Sequence, residues 1–382
     1  MMNKIKAMTV FGTRPEAIKM APLIKELENR DLIESIVCLT GQHREMLTQV
    51  LDTFKIKDDF NLNIMRPGQT VTTITTDVLS GMEKILCDVK PDIMLVHGDT
   101  STSFAGALAA FYAGVRVGHV EAGLRTYDKY SPFPEEMNRQ MTSRLADLHF
   151  APTVSNKQNL LKENVTQNVF VTGNTVIDAL SHTVKPDYCF ADNTLAKIDF
   201  NKYKYILLTA HRRENLGAPL RQICTAVRKI AESNSDVRFI YPMHLNPLVR
   251  NTATEILGGL NNVILIDPVD VCDMHNLMQR CYMVMTDSGG LQEEAPALGK
   301  PVLVLRTETE RPEAVAAGTV KIAGVDTNTI IEMANTLIRD KNAYDLQAAA
   351  VNPYGDGNAS QRIANAILYY FGLGDKPKDF GD

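Results

Sequence analysis

The chain has 382 residues, of which 45% are hydrophobic and 22% are charged, and its formal net charge is −5 at pH 7. This length predicts two domains, and the acidic balance argues against binding of bulk nucleic acid, which usually needs a basic face. Six cysteines without a C-x-x-C pair, no signal-peptide pattern and no run of about 20 apolar residues predict a cytoplasmic protein without membrane insertion or a zinc site.

In the first half of the chain, short apolar runs alternate with segments of helical period. Strands are predicted from the apolar runs at 5–11, 33–39, 92–98, 115–120 and 147–152. Helices are predicted at 15–29, 43–54, 103–114 and 135–147. Nearly continuous apolar runs are typical of strands buried on both faces of a parallel sheet.

The same alternation is repeated in the second half. Strands are predicted at 203–211, 237–244, 262–267, 281–290 and 300–307, with helices at 220–233, 275–280, 291–299 and 329–340. This order predicts an α/β protein with two Rossmann-like, doubly wound domains facing a central cleft. We predict an N-terminal domain over 1–173 and a C-terminal domain over 174–357, with a last helix at about 358–372 packing back on the first domain.

The first strand-to-helix turn lacks the glycine fingerprint of a dinucleotide site. The sequence after the strand is Gly12-Thr13-Arg14-Pro15, and Pro15 suits a first helical position because its missing N–H needs no partner there. Two cations, Arg14 and Lys19, stand where a G-x-G-x-x-G would bring bare backbone to a diphosphate. These cations favour an anionic ligand that is bound by side chains.

A glycine-containing turn occurs instead after the predicted strand near 285. Ser288, Gly289 and Gly290 open a helix there, where free N–H groups favour a diphosphate. Glu294, one turn further, is placed to accept hydrogen bonds from a ribose diol. The alternative is an ordinary helix start with Asp287 or Ser288 as the N-cap.

Two further predicted strands of the second half end in basic residues. His211, Arg212 and Arg213 follow one strand, and Arg306 follows another. Basic residues at the carboxyl end of a strand are typical of an anion site. A satisfied structural histidine is the alternative for His211.

Three carboxylates follow predicted strands or begin a helix in the first half: Asp99, Glu121 and Glu135. Carboxylates on one rim of a sheet shift each other's pKa values, as acid–base chemistry requires. Alternatively, Asp99 is a helix cap and Glu135 compensates a helix dipole. The histidines lack metal-ligand spacing, so no metal site is predicted.

Long motifs in a fixed order carry a resemblance to a known family. They are FGTRPEAIKMAP, TGQHREML, VHGDTSTSFAGALAAF, GHVEAGLRT, PFPEEMNRQ, TAHRRENLG, SGGLQEEAPALGKPVLVLR and TERPEA. Together they resemble the bacterial non-hydrolysing UDP-N-acetylglucosamine 2-epimerases. The resemblance implies the GT-B architecture, a homodimer, and interconversion of UDP-GlcNAc and UDP-ManNAc for cell-surface polysaccharide synthesis. It also implies an elimination of UDP to 2-acetamidoglucal that needs no nicotinamide or other cofactor.

The resemblance also implies roles for the matching positions. Catalytic roles fall on Asp99, Glu121, Glu135, His211, Arg14 and Lys19. UDP-binding roles fall on Arg14, His211, Ser288, Gly289, Gly290, Glu294 and, by its position, Arg306. A second, activating UDP-GlcNAc would contact Gln42, His43, Arg66, Arg212 and His244.

Three other functions share parts of this pattern. A hydrolysing epimerase would release ManNAc and UDP from much the same site. A GT-B glycosyltransferase would share the UDP half of the site but would need an acceptor groove. A non-catalytic nucleotide-sugar sensor would bind the ligand without turnover, which the three carboxylates disfavour.

Overall fold

The structure is a computed structural model, and it describes residues 4–41, 44–66, 68–309 and 311–382. These residues form two compact units. The first unit contains the chain up to His182 together with Tyr354–Asp382, and the second unit contains Thr183–Pro353. The chain therefore leaves the first unit once and returns to it once.

The elements of the first unit alternate between strand and helix. They are β1 (Ile5–Phe11), α1 (Arg14–Glu28), β2 (Ile33–Leu39), α2 (Arg44–Phe54), β3 (Phe60–Asn61), α3 (Val71–Val89), β4 (Ile93–His97), α4 (Ser101–Tyr112), β5 (Arg116–Val120), α5 (Glu135–Leu145), β6 (Leu148–Ala151), α6 (Val154–Lys162), β7 (Val169–Val171) and α7 (Thr175–Thr183).

The second unit repeats the alternation after a short 3₁₀ helix at Leu195–Lys197. Its elements are β8 (Lys204–Thr209), α8 (Ala218–Ser233), β9 (Val237–Pro242), α9 (Pro247–Leu257), β10 (Val263–Ile266), α10 (Val271–Arg280), β11 (Met283–Thr286), α11 (Leu291–Ala297), β12 (Val302–Val304), α12 (Pro312–Ala316), β13 (Val320–Ile322), α13 (Thr327–Arg339) and α14 (Lys341–Ala348). The final helix, α15 (Ala359–Tyr370), belongs to the first unit.

Each unit is built on one parallel sheet. The first sheet has the strand order β3-β2-β1-β4-β5-β6-β7, and the second has the order β10-β9-β8-β11-β12-β13. In both sheets the order reverses beside the first strand of the unit, between β1 and β4 and between β8 and β11. Such a switch point opens a crevice at the carboxyl ends of the strands, where ligands bind. The predicted fold class, two doubly wound Rossmann-like units, is confirmed.

Helices cover both faces of the first sheet. Alternate residues of β1 enter different cores, with Phe11 in the core under α1, α2 and α15, and Val10 in the core under α3 and α4. Leu23 of α1 and Ile363 of α15 are fully buried in the first of these cores. A strand that buries both faces needs apolar residues at every position, which is why these strands appear as continuous apolar runs.

The longest helix, α3, lies outside the helical segments predicted from the sequence. Its first turns read Val-Thr-Thr-Ile-Thr-Thr, and β-branched residues have low helix propensity. The helix forms because Thr70 caps its N-terminus and because Val78, Met82 and Leu86 are buried along one face. Tertiary burial therefore outweighs local propensity here.

The unit limits at His182 and Tyr354 differ from the predicted domain limits at 173 and 357. A buried aspartate shows why α7 goes with the first unit. The carboxylate of Asp178 accepts hydrogen bonds from the backbone N–H groups of Ala359 (3.2 Å) and Ser360 (2.7 Å). This contact holds the first turn of α15 against α7.

Asp178→Ala is expected to lower the free energy of unfolding by about 1–3 kcal/mol, because two buried N–H groups lose their acceptor. A lower midpoint of denaturation would measure the loss. The control is Asp31→Ala, since Asp31 is exposed. Equal midpoints for the two variants would contradict the assigned role of Asp178.

Candidate functional site

Glu121 occupies an unusual backbone position directly after β5. Its φ of 61° lies in the left-handed region, which a residue with a side chain rarely adopts. Its carboxylate is ion-paired with the ammonium of Lys19 and accepts a hydrogen bond from Asn174 Nδ2 at 3.0 Å. Gly98 lies so close that an added Cβ would be 3.2 Å from Glu121 Oε2. The local fold therefore holds this carboxylate in one place.

The last residue of β4 contacts the same carboxylate. His97 Nε2 lies 3.6 Å from Glu121 Oε2, and its ring is buried. Burial, the largest influence, lowers the pKa of His97 to about 4, although the Glu121 charge acts in the opposite direction. Burial therefore favours the neutral form of the His97 ring at pH 7.

Asp99 lies in the loop after β4, and it is not the cap of the next helix. Thr100 is the N-cap of α4, with its hydroxyl accepting from Ser103 N–H. The Asp99 carboxylate points to Arg139, with Oδ2 and Nη1 3.5 Å apart. Burial raises the pKa of Asp99 to about 6, Arg139 lowers it, and the charges of Glu121 and Glu135 raise it further.

The third predicted carboxylate belongs to the same electrostatic group. Glu135 is the first residue of α5, and its charge contributes to the raised pKa of Asp99. We define the carboxylate cluster as Lys19, Asp99, Glu121, Glu135 and Arg139. Carboxylates that raise each other's pKa near neutrality are suited to both accepting and donating a proton.

Glu16 connects the two loops at this switch point, and this role was not predicted from the sequence. Glu16 is buried, and its Oε2 accepts the N–H groups of Gly12 (3.0 Å) and Thr13 (2.8 Å). Its Oε1 accepts the hydroxyls of Thr100 and Ser103 at the start of α4. One carboxylate thus joins the N-termini of α1 and α4. The pattern Thr13-x-x-Glu16 is a capping box, which predicts that Glu16 accepts a hydrogen bond at the start of α1. It does not predict the contacts of Glu16 with Thr100 and Ser103.

Arg14, the other cation of the first turn, is the first residue of α1 and is exposed. It lies one turn before Lys19, at the same carboxyl edge of the first sheet. Its guanidinium is therefore available to an anionic ligand.

In the second unit, a buried aspartate organises the loops at the switch point. Asp287 Oδ2 accepts the backbone N–H groups of His211 and Arg212, both at 2.8 Å, and Asn215 Nδ2 at 3.0 Å. Asn215 also donates to the carbonyl of Leu305 at 3.0 Å. These bonds connect the ends of β8, β11 and β12. Asp287 is therefore not the N-cap of α11, which was one sequence-based alternative.

Two histidines are stacked at this edge. The rings of His211 and His244 are 5.2 Å apart between centroids and 5° from parallel. Burial lowers the pKa of His211, the Asp287 charge raises it, and His244 and Arg212 lower it further. An arriving anion would reverse this balance and favour the protonated ring.

The predicted diphosphate turn has positive side chains beside it. A Cβ added at Gly289 would lie 3.6 Å from Arg212 Nη2 and 3.8 Å from Arg311 Nη2. Neither Ser288 nor another side chain caps α11, whose N-cap is Gly290. Arg311 is ion-paired with the buried Glu293, so Arg212 is the guanidinium beside this turn whose charge is not offset by an ion pair among the described residues.

Glu294 lies next to this turn, and its carboxylate has a buried partner. Its Oε2 is 3.4 Å from His275 Nε2, and His275 Nδ1 is 2.7 Å from the Thr183 hydroxyl. Gly290 leaves space for the carboxylate, because an added Cβ would lie 3.1 Å from Glu294 Oε1. Arg306, after β12, is ion-paired with Glu214 at 3.1 Å.

The residues predicted for an activator site are distributed over both units. Arg212 follows His211 directly, and His244 stacks on the His211 ring. Arg66 is exposed in the first unit and ion-paired with Asp77 at 3.1 Å. Gln42 and His43 lie outside the described residues.

Comparison with known proteins identifies the family. A family model described as UDP-N-acetylglucosamine 2-epimerase matches residues 25–368. The chain belongs to this family. The Bacillus subtilis UDP-N-acetylglucosamine 2-epimerase is 55% identical over 99% of this chain and 99% of its own length. The resemblance predicted from the motifs is confirmed, and the protein is an epimerase and therefore an isomerase.

Two solved structures of complexes with UDP-GlcNAc or UDP are similar to this chain. UDP-GlcNAc 2-epimerase from Neisseria meningitidis bound to UDP-GlcNAc is 51% identical, with a TM-score of 0.86 over 96% of this chain and 100% of that chain. The S. aureus MnaA–UDP co-structure is 51% identical, with a TM-score of 0.90 over 99% and 100% of the two chains.

Two features are absent from the described part of the chain. No group of three or more His, Cys, Asp or Glu residues in it is arranged to hold a metal ion. No helix in it is both long and apolar enough to cross a membrane.

Asp99→Asn is expected to stabilise the protein relative to the wild type as the pH rises from about 4 to about 7. The folded state holds the Asp99 proton up to about pH 6, whereas an unfolded aspartate releases it near 3.9. Ionisation of Asp99 therefore destabilises the wild type as the pH rises through this window, and the variant avoids that loss. Thermal midpoints at several pH values measure the difference.

The control for this measurement is Asp88→Asn, because Asp88 is exposed on α3. Its midpoint should follow that of the wild type at every pH. A constant difference between Asp99→Asn and the wild type would contradict the raised pKa.

Proposed function

We propose that the protein interconverts UDP-GlcNAc and UDP-ManNAc without net hydrolysis, as a non-hydrolysing 2-epimerase. The observation that carries this proposal is the carboxylate cluster, in which Asp99 has a pKa of about 6 beside Glu121 and Glu135. Family membership gives the epimerase class, and the cluster provides in Asp99 a group that can exchange a proton near neutral pH.

The chemistry requires that UDP leaves before the stereocentre changes. The hydrogen on C2 is not next to a carbonyl, so its direct removal is very costly. When the C1–O bond breaks, its electron pair leaves with UDP and C1 gains oxocarbenium character. A carboxylate then takes the C2 proton, and the C–H electron pair forms the C1=C2 bond of 2-acetamidoglucal.

The second half of the reaction reverses these steps on the other face. A protonated carboxyl group delivers a proton to C2 from the opposite side, and the UDP oxygen bonds to C1 again. One proton leaves C2 and one proton is delivered to C2, and no water, metal or redox cofactor is consumed. Asp99, Glu121 and Glu135 are the proposed proton-transfer groups, with Lys19 orienting Glu121 through their ion pair.

The second unit supplies the proposed UDP site. Backbone N–H groups at Ser288–Gly290 would bind the diphosphate, and Glu294 would accept hydrogen bonds from the ribose. His211, with Arg14 and Arg306, would stabilise the charge that develops on the departing UDP. The loss of one such donor typically costs about 10²–10³ in rate.

Three further assignments stay predictions. An activating UDP-GlcNAc would bind at Gln42, His43, Arg66, Arg212 and His244. The protein is expected to act as a homodimer, and to work in the cytoplasm in the synthesis of a cell-surface polysaccharide.

In D₂O, the wild-type protein should convert UDP-GlcNAc to UDP-ManNAc with deuterium at C2, followed by NMR. Protonation of the glycal by a solvent-exchanged carboxyl group is the reason. Release of free ManNAc and UDP as the main products would favour a hydrolysing epimerase. Epimerisation without deuterium at C2 would contradict the elimination.

Glu121→Gln should reduce epimerisation by about 10²–10⁴-fold, because the amide cannot transfer the proton. UDP binding, measured by calorimetry, should change little. Glu34→Gln is the matched control, since Glu34 is an exposed residue of β2. Near-normal turnover of Glu121→Gln would contradict its catalytic role.

His244→Ala should reduce activation by a second UDP-GlcNAc. The wild-type rate is expected to rise sigmoidally with UDP-GlcNAc concentration, and the variant should give a more nearly hyperbolic curve. Arg250→Ala is the control, because Arg250 lies on the adjacent helix and is ion-paired with Asp267. An unchanged sigmoidal curve for His244→Ala would remove His244 from the activator site.

A further inference from the structure

Asp287 lies at the switch point of the second sheet, directly after β11. The residue is fully buried, and three N–H groups converge on its Oδ2. Two of these come from the backbone of His211 and Arg212, so the carboxylate fixes the start of the loop that carries the His211 ring.

The other oxygen of this carboxylate is differently placed. Among the described residues, Asp287 Oδ1 has no hydrogen-bond partner although it is buried. The nearest charged or titratable donor to it is Nδ1 of His211, at 3.8 Å. A buried acceptor without a donor is unfavourable, so a small rotation of the ring that closes this distance is favoured.

The ring of His211 has room for that rotation. Its side chain is 39% exposed, and its main packing contact is the parallel face of His244. A small change in its side-chain torsions can therefore bring Nδ1 closer to Asp287 Oδ1.

We propose that Asp287 is the positioning residue of His211: its Oδ1 accepts the Nδ1 proton and thereby fixes the ring so that Nε2 faces the diphosphate. The role of His211 towards the diphosphate rests on the proposed function, whereas the contact between Asp287 Oδ1 and His211 Nδ1 does not. An imidazole whose Nδ1–H is held by a carboxylate keeps one tautomer. Its protonated form then donates from Nε2 to a phosphate oxygen, with Asp287 balancing its charge.

The groups that face His211 are consistent with this arrangement. Asp287 favours the charged ring, whereas burial, His244 and Arg212 disfavour it. An incoming diphosphate adds a second anion on the Nε2 side. The ring would therefore be neutral in the free protein and protonated when the diphosphate is bound.

The first test uses the unmodified protein and does not need turnover. ¹⁵N-detected NMR of the imidazole, assigned by the loss of the signal in His211→Gln, reports the tautomer. We expect the neutral ring to carry its proton on Nδ1, and addition of UDP to raise the pKa of His211. A neutral ring that carries its proton on Nε2 would overturn the proposal.

The second test is Asp287→Asn. The asparagine amide carries no negative charge, so the pKa of His211 should fall. Its NH₂ group facing the ring would require Nδ1 to accept a hydrogen bond, so the tautomer should change. Turnover should fall by about 10²–10⁴-fold with a small change in KM. In the double variant with His211→Gln, the Asp287 substitution should cost nothing more. Additive losses would show that Asp287 acts independently of His211 and would overturn the proposal.

Asp273→Asn is the control for structural damage. Asp273 is also buried and accepts the backbone N–H groups of Ala191 and Asp192, both at 2.9 Å. This variant should lose stability without a change in the tautomer or pKa of His211. Failure of the proposed function would be distinguishable from failure of this inference. In that case the wild-type protein would show the expected His211 tautomer but would not introduce deuterium at C2.

Discussion

Parallel strands bring all their carboxyl ends to one edge of a sheet, and the functional residues of this protein depend on that constraint. In each unit the strand order reverses once, so two adjacent loops diverge and leave a crevice. In the first unit these are the loops after β1 and β4, and in the second the loops after β8 and β11. Asp99 and Asp287 occupy the same topological position in the two units.

Each crevice contains a buried carboxylate whose charge is compensated by donors that the fold positions. Asp287 is stabilised by backbone N–H groups, Glu16 by N–H groups and hydroxyls, and Glu121 by Lys19 and Asn174. Asp99 is compensated less fully, by Arg139 at 3.5 Å, which is why burial dominates its pKa. The group that is least well compensated is the one suited to proton transfer.

Local signals in the sequence predicted every strand except the short β3, β7 and β13, together with the residues that follow the predicted strands. An apolar run shows where a buried strand ends, so Asp99, Glu121, His211 and Ser288 could be assigned to one edge of each sheet. The roles of Glu16 and Asp287 could not be predicted, because their partners are 84 and 76 residues away in Thr100 and His211. Such contacts depend on the crossover between β1 and β4, or β8 and β11, which periodicity does not encode.

The absence of a glycine fingerprint after β1 has a physical explanation in Glu16. In a dinucleotide site, the free N–H groups at this turn bind a phosphate. Here the N–H groups of Gly12 and Thr13 already donate to Glu16 Oε2, so an internal carboxylate occupies the position of the anion. A phosphate at this turn would compete with the Glu16 carboxylate for these two N–H groups. The turn after β11 differs, because Gly289 lies beside Arg212 and Arg311 and its helix has no side-chain cap. The two units therefore use the same topology differently. The first turn stabilises its own carboxylate and has Arg14 and Lys19 as side-chain cations, whereas the second turn has Arg212 and Arg311 beside Gly289.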